Sequence, residues 1–332
     1  FSMIRIGING FGRIGRTLFR LISERDDLEI VHVNDIHPLK TLLHLVKYDS
    51  IHGKFDKSLT YVQDDLFLME DQEVTYSKCS DISKISWGNV DVVFEATGKY
   101  KIKADLDHHI KNGADKVILT VPPADESMKM IVMGVNEHLL SKEDEIFSNA
   151  SCTTNSAAHL IKIVSENYKL DSCFITTVHS YTADQNLHDA PHKDLRRARG
   201  AVQSIIPTTT GAAKALTRIF PELADKLGGC GIRVPVPDGS LTDITFTINN
   251  PPSADEINQL VKLSSENDFK GFVQFSTDPL VSADIIGNPH SCVFDSGLTS
   301  VVGNMLKVVG WYDNEIGYSN RLIDLLDFHD SL

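Results

Sequence analysis

Apolar residues in the first part of the chain fall into two rhythms. Short, nearly continuous runs occur at Met3-Ile-Arg-Ile-Gly-Ile8, Ile30-Val-His-Val33, Val90-Asp-Val-Val-Phe94, Val117-Ile-Leu-Thr-Val121 and Met130-Ile-Val-Met133. Runs of this length, rich in β-branched residues and bounded by turn formers, predict strands buried on both faces. Between the first two, Ile14, Leu18, Leu21 and Ile22 recur at helical spacing. Strand, glycine turn, helix and strand thus fit within about 30 residues, the size of a β-α-β unit. Repeated alternation of this kind predicts a mostly parallel sheet.

After about residue 150 the rhythm changes. Ile244, Phe246 and Ile248 alternate with Thr245 and Thr247, as in an antiparallel strand with one buried face. Ser253-Ala-Asp-Glu256 has the form of a capping box opening a helix through Ile257, Leu260 and Val261. Strand-like runs cover 271–276 and 306–312, and a last helix over about 320–328 gathers Leu322, Leu325 and Leu326 on one side. The second half therefore reads as α+β, with a mixed, largely antiparallel sheet and helices on one face. The boundary near 150 is a shift of texture, with no repeats or low-complexity linker to mark it.

Length and charge narrow the picture. The chain has 332 residues, enough for about two domains. Its 42% hydrophobic and 23% charged residues exclude wholesale disorder. A net charge of −13 argues against a general nucleic-acid or anionic-membrane surface, because both partners are negative. No apolar run is long enough to span a bilayer, and the opening residues lack the charged-then-apolar pattern, so no signal peptide is expected. Phe1-Ser2 ahead of Met3 reads as an expression-vector remnant. The five cysteines, Cys79, Cys152, Cys173, Cys230 and Cys292, are odd in number and widely spaced, which points to a reducing compartment and no disulfide scaffold.

Candidate chemistry concentrates at a few places. Gly10-Phe-Gly12-Arg-Ile-Gly15 follows a predicted strand and opens a predicted helix, and Asp35 lies 20 residues beyond Gly15. Small residues there let a pyrophosphate approach the backbone and the helix N-terminus. A carboxylate at Asp35 suits a ribose hydroxyl and repels a 2′-phosphate, so the pattern points to NAD. The competing reading is an ordinary glycine turn. Ser148-Asn-Ala-Ser-Cys152-Thr-Thr-Asn155 precedes the helical pattern of Ala157, Leu160, Ile161, Val164 and Tyr168. That puts Cys152 at a helix N-terminus, where the dipole favours a thiolate. His179, at the end of a predicted strand, is a candidate base, although packing roles for both residues remain open on spacing alone. The other cysteines read as structural, and the remaining histidines lack metal-ligand spacing, so no metal is expected.

His192-Lys-Asp-Leu-Arg-Arg197-Ala-Arg199 gathers positive charge in an acidic protein. It fits a solvated, ion-paired face, an anion site, or a short nucleic-acid contact without interleaved aromatics. Arg233, isolated in Gly231-Ile-Arg-Val-Pro235, and the hydroxyls of Thr208-Thr-Thr210-Gly211 also suit an oxyanion.

Taken together, these motifs resemble phosphorylating glyceraldehyde-3-phosphate dehydrogenases over nearly the whole chain. The resemblance is carried by Gly7-Ile-Asn-Gly-Phe-Gly-Arg-Ile-Gly-Arg16, Tyr48-Asp-Ser-Ile-His-Gly53, Ser148 to Asn155, Pro207-Thr-Thr-Thr-Gly-Ala-Ala-Lys214 and Trp311-Tyr-Asp-Asn-Glu-Ile-Gly-Tyr-Ser-Asn320. It implies an α/β chain with a Rossmann-type NAD-binding domain over 3–150, completed by a C-terminal helix over 316–332, and a catalytic domain over 151–315. It implies Cys152 as nucleophile and His179 as its base. It implies that Thr182 and Arg233 hold the substrate phosphate, and that Ser151, Thr153, Arg197, Thr210 and Gly211 shape a site for inorganic phosphate. Gly10, Gly12, Arg13, Ile14, Asp35, Thr120 and Asn314 would bind NAD. The expected substrates are glyceraldehyde 3-phosphate and inorganic phosphate. The expected assembly is a cytoplasmic homotetramer with the 180–203 loop at subunit contacts.

Several positions depart from the common pattern. Ser156 stands where many members carry a second cysteine, four residues after the nucleophile. Ala190 points to some use of NADP, whereas Asp35 and Pro191 point to NAD. Ser80 replaces a common arginine near the adenine. The nearest alternative is the related erythrose-4-phosphate dehydrogenase, although the Thr210 to Lys214 loop fits the glyceraldehyde enzyme better. RNA binding through the nucleotide pocket, or an adhesin role, is the alternative from another class.

Overall fold

Two sheets organise the chain, each the centre of its own compact unit. The computed structural model describes residues 3–332, so Phe1-Ser2 lies outside the described residues. The first unit contains residues up to 131, then 137–150 and 319–332; the second contains 132–136 and 151–318. Two details differ from the expected boundaries. Residues 132–136 group with the second unit, and so do 316–318, the first turn of the last helix.

The first unit holds β1 (Ile4–Asn9), α1 (Arg13–Ile22), β2 (Leu28–Asn34), α2 (Leu39–Lys47), β3 (Leu59–Gln63), β4 (Leu66–Met69), β5 (Gln72–Ser77), β6 (Val90–Glu95), α3 (Lys103–Lys111), β7 (Ala114–Leu119) and β8 (Ile146–Ser148). The nine-stranded sheet runs from the short strand Lys129–Met130 through β8, β7, β6, β1, β2 and β5 to β4 and β3. All pairings are parallel except β5–β4 and β4–β3, which form an antiparallel edge that the apolar rhythm did not reveal. Ile6 and Ile8 of β1 and Val93 and Phe94 of β6 are fully buried. The central strands are covered on both faces, as expected of a doubly wound sheet.

Of the run Met130 to Met133 only Met130 is in a strand, the two-residue Lys129–Met130. Beyond it the Asn136 side chain accepts from the Val132 amide, while the Asn136 amide donates to the Val132 carbonyl. Gly134 sits at φ +80° in this turn. A side chain that hydrogen-bonds its own backbone neighbours competes with strand pairing.

The second unit holds α4 (Cys152–Asn167), β9 (Leu170–Ser180), β10 (Ile206–Thr208), α5 (Gly211–Ile219), β11 (Leu227–Val234), β12 (Ser240–Ile248), α6 (Ala254–Glu266), β13 (Val273–Ser276), β14 (Cys292–Asp295) and β15 (Met305–Tyr312). Strand order is β10-β11-β9-β12-β15-β14-β13, with Ser300–Val302 also on β15. The sheet is mixed: β9–β11 and β13–β14 are parallel and the rest antiparallel. β12 alternates strictly, with Ile244, Phe246 and Ile248 buried. The capping box forms as predicted, with the Ser253 amide donating to Glu256 Oε2 and the Glu256 amide to Ser253 Oγ.

The last helix, α7 (Ile316–Asp330), joins the first unit from Ser319 onward. Leu322, Leu325 and Leu326 are buried there, each worth about 2 kcal/mol of transfer free energy. His329 stacks on Phe147 of β8, with ring centroids 5.0 Å apart. No helix among the described residues is long and apolar enough to cross a membrane.

Candidate active site

In the first unit the turn between β1 and α1 borders a cavity of about 320 Å³, lined by Gly10, Gly12, Asp35, Cys79, Ser80, Thr97 and Tyr100 among others. Gly10 has φ +91°, and a Cβ there would lie 2.6 Å from the Thr97 amide nitrogen. A Cβ on Gly15 would lie 2.1 Å from the Gly10 carbonyl oxygen, so only glycine lets the helix start against the turn. Gly12 caps α1 without a side-chain hydrogen bond, and the space over its Cα is open. An uncapped ten-residue helix facing open space is a fitting seat for a pyrophosphate.

Asp35 follows β2 directly. It accepts from the Phe11 amide at 2.7 Å through Oδ2, and from the Ile36 and His37 amides and His37 Nδ1 through Oδ1. Burial pushes this carboxyl up, but those donors together outweigh it and hold Asp35 below the usual carboxylate range. A fixed anion at this rim suits a ribose diol. Arg13 makes a two-pronged bond from its guanidinium to Asp49, at 2.5 and 3.1 Å. Ile14 lies in the first turn of α1. Thr120, just past β7, donates through both amide and hydroxyl to the Glu95 carbonyl.

Cys152 opens α4 in the second unit. Ser151 caps the helix by accepting from the Thr154 amide at 3.2 Å. Sγ of Cys152 lies 3.5 Å from Nε2 of His179, near the end of β9. Nδ1 of His179 has two neighbours, the Ser180 carbonyl oxygen at 2.8 Å and Arg233 Nη1 at 2.7 Å. A protonated Nδ1 donates to the carbonyl and leaves Nε2 as an acceptor. An unprotonated Nδ1 accepts from Arg233 instead.

Burial and nearby charge both act on this pair. Burial pushes the Cys152 thiol up to about 11, against the pull of the Arg233 charge and of the Thr153 amide and hydroxyl. Burial, and then Arg233, hold His179 down at about 3. Burial thus favours the neutral thiol and the neutral imidazole, while the Arg233 charge favours thiolate; in the tautomer with Nδ1 protonated, Nε2 is the acceptor facing Sγ.

Around this pair the structure gathers most of the expected anion-binding residues. His179 and Arg233 are register partners on parallel strands β9 and β11, and β10 places Ile206 opposite Arg233. Arg197 donates from Nε to the Thr208 hydroxyl at 2.9 Å, from Nη1 to Asp184 at 2.6 Å, and from Nη2 to the Thr209 carbonyl at 3.3 Å. Thr182 donates its hydroxyl to Asp184. Thr210 caps α5 through the Ala212 amide, and the space over the Gly211 Cα is open. Thr153 differs from the rest: its buried hydroxyl hydrogen-bonds Tyr312 Oη at 2.8 Å. Asn314 is buried, and its side-chain carbonyl accepts from Ser180 and Ser240 at 2.9 and 2.7 Å, which fixes the direction of its amide.

Three contributors were not singled out from the sequence. Asp184 links Thr182 to Arg197. Tyr312 joins Thr153 to Thr177 and sits edge-on to His179. Ser180 holds both His179 and Asn314. Tyr312 lies inside the Trp311 to Asn320 motif, which was the available signal.

A dinucleotide-type sheet with its anionic rim, and a thiol–imidazole pair beside arginines, define an NAD-dependent oxidoreductase. Residues 4–103 match the family profile described as glyceraldehyde 3-phosphate dehydrogenase, NAD binding domain, and residues 151–314 match its C-terminal domain. The chain is 46% identical over 330 residues to glyceraldehyde-3-phosphate dehydrogenase 2 of Streptomyces avermitilis, covering 98% of each chain. It is 48% identical over 326 residues to the Streptomyces arenae protein of the same name, and 45% identical over 331 residues to the Mycobacterium avium glyceraldehyde-3-phosphate dehydrogenase, with 97% of each chain covered in both cases. The chain belongs to the glyceraldehyde 3-phosphate dehydrogenase family.

Proposed function

We propose that the chain catalyses the reversible, NAD-dependent oxidation of D-glyceraldehyde 3-phosphate with inorganic phosphate to 1,3-bisphosphoglycerate. The observation that carries this reading is the 3.5 Å approach of Cys152 Sγ to His179 Nε2 beside the guanidinium of Arg233. Thiol and base are within proton-transfer reach, and a fixed cation stands ready for a phosphorylated aldehyde.

The roles follow from the chemistry. Cys152 Sγ bonds to the aldehyde carbon, and its proton passes through His179 Nε2 to the carbonyl oxygen, giving a thiohemiacetal. His179 then takes the hydroxyl proton as the carbonyl re-forms and the carbon loses hydride. NAD, when bound, supplies the hydride acceptor. The product on Cys152 is a thioester. A phosphate oxygen attacks its carbonyl carbon, the carbon–sulfur bond breaks, and sulfur recovers a proton from His179. Thr182 and Arg233 anchor the substrate phosphate. Ser151, Thr153, Arg197, Thr210 and Gly211 orient the attacking phosphate, Thr153 doing so by turning its hydroxyl from Tyr312 or through its backbone.

Gly10, Gly12, the first turn at Arg13 and Ile14, Asp35, Thr120 and Asn314 would hold NAD. The Asp35 anion favours NAD over NADP, leaving modest residual NADP use. A homotetramer in the cytoplasm is part of the same reading. The assembly is supported by exposed apolar side chains in the 180–203 loop, Leu187 at 65% and Leu195 at 83%, with Ile205 at 69% just beyond it.

The test is NADH formation from glyceraldehyde 3-phosphate and NAD, with and without phosphate, in wild type and Cys152→Ala. Sustained turnover that needs both phosphate and the thiol is expected. Phosphate-independent turnover overturns the second half of the reaction. Preferential turnover of erythrose 4-phosphate overturns the substrate.

A further inference from the structure

We infer that Asp184 is a built-in competitor for the oxyanion that Arg197 binds, and that it sets how tightly phosphate is held. The inference rests on the reaction proposed above. Asp184 Oδ2 accepts from Arg197 Nη1 at 2.6 Å, and Oδ1 accepts from the Thr182 hydroxyl. One carboxylate thus ties together the residues assigned to two different phosphates. Three of the five N–H groups of the Arg197 guanidinium are engaged, one each by Asp184, Thr208 and Thr209. A phosphate that seeks a two-pronged bond through Nη1 therefore meets Asp184 already seated there.

Asp184 is the partner built to leave. Its side chain is 42% exposed, while that of Arg197 is 19% exposed, so the carboxylate can swing to water while the guanidinium stays anchored. Two carboxylates face this guanidinium: Asp194 lies 3.9 Å from Nε and is held by the Thr208 hydroxyl, whereas Asp184 bonds Nη1 directly at 2.6 Å, so Asp184 is the charge in the nearer place to repel an arriving dianion until it moves. The nearby Arg233 and Arg197 charges, acting with the Thr182 hydroxyl, outweigh burial and keep the carboxyl ionised well into acid. Weakened anion binding has a use here. The product carries a second phosphate, and a site that held oxyanions tightly would release it slowly.

The experiment measures the phosphate KM at saturating aldehyde and NAD in wild type, Asp184→Asn, Asp184→Ser and Asp184→Glu. It adds the sulfate concentration that protects Cys152 from iodoacetamide, a readout that needs no turnover. Asparagine and serine should lower the phosphate KM and the protective sulfate concentration by about five- to tenfold, the worth of one exposed ion pair and its repulsion. Glutamate, which keeps the charge, should stay near wild type. A phosphate-dependent wild type with unchanged or raised phosphate KM in both neutral variants overturns the inference alone. A wild type without phosphate dependence overturns the proposed reaction, and unchanged sulfate protection in the neutral variants overturns the inference even then.

Discussion

Arg233 Nη1 lies 2.7 Å from Nδ1 of His179, so the cation proposed to anchor the substrate rests on the nitrogen opposite the one that faces Cys152. The positive charge pulls both groups toward their deprotonated forms. It disfavours imidazolium and favours thiolate.

Replacing Arg233 by Gln removes the charge that pulls the Cys152 thiol down, so the thiol rises further above about 11. Only the thiolate is nucleophilic. Iodoacetamide alkylation of the enzyme without cofactor should therefore slow at pH 8, and its inflection should move to higher pH. An inflection that moves lower would show that Arg233 does not act on the thiol through charge.

His179→Asn removes the ring nitrogen 3.5 Å from Sγ while leaving the residues proposed to bind anions in place. Loss of general-base help should cut kcat by roughly 100- to 10,000-fold. The substrate KM should change little. Stopped-flow NADH formation would separate the two constants.

Asp35→Asn keeps the shape of the rim and loses its charge. The carboxylate takes four hydrogen bonds, one of them from the glycine turn. The KM for NAD should rise by about tenfold or more, and the preference for NAD over NADP should narrow. Steady-state kinetics with both cofactors decides it.

Gly310 of β15 lies under α4. A Cβ there would approach Cys292 Sγ to 2.4 Å and Leu160 Cδ1 to 3.1 Å. Gly310→Ala should cost about 1–3 kcal/mol through overpacking, read as a lower midpoint in urea. Gly211→Ala, whose added methyl meets nothing within 4 Å, serves as the control for fold stability.

What the sequence made legible was local. The turn at Gly10, the acid after β2, the alternation at Ile244 to Ile248 and the Ser253 capping box each depend on residues a few positions apart. Cys152 at the start of α4 belongs with them. The neighbours of the cysteine were not legible in spacing. His179 and Arg233 are 54 residues apart and meet through a parallel register that no periodicity encodes. Their pairing was reachable only through family resemblance. The short strand at Lys129–Met130 was overread because the apolar run continues past it, while Asn136 closes a turn on Val132. The Thr153 hydroxyl was expected at an anion and meets Tyr312, which sits 159 residues away.

The parallel pairing of β9 with β11 has an evolutionary corollary. His179 and Arg233 stand side by side because two backbones run in step from Cys173 and Leu227 onward. A one-residue insertion in either strand would turn its later side chains to the opposite face. Reactivity and substrate length are thus inherited as one unit. A lineage adapting to a longer or shorter aldehyde would have to work through the loops, because changing the spacing of this ladder would dismantle the proposed base along with the proposed anchor.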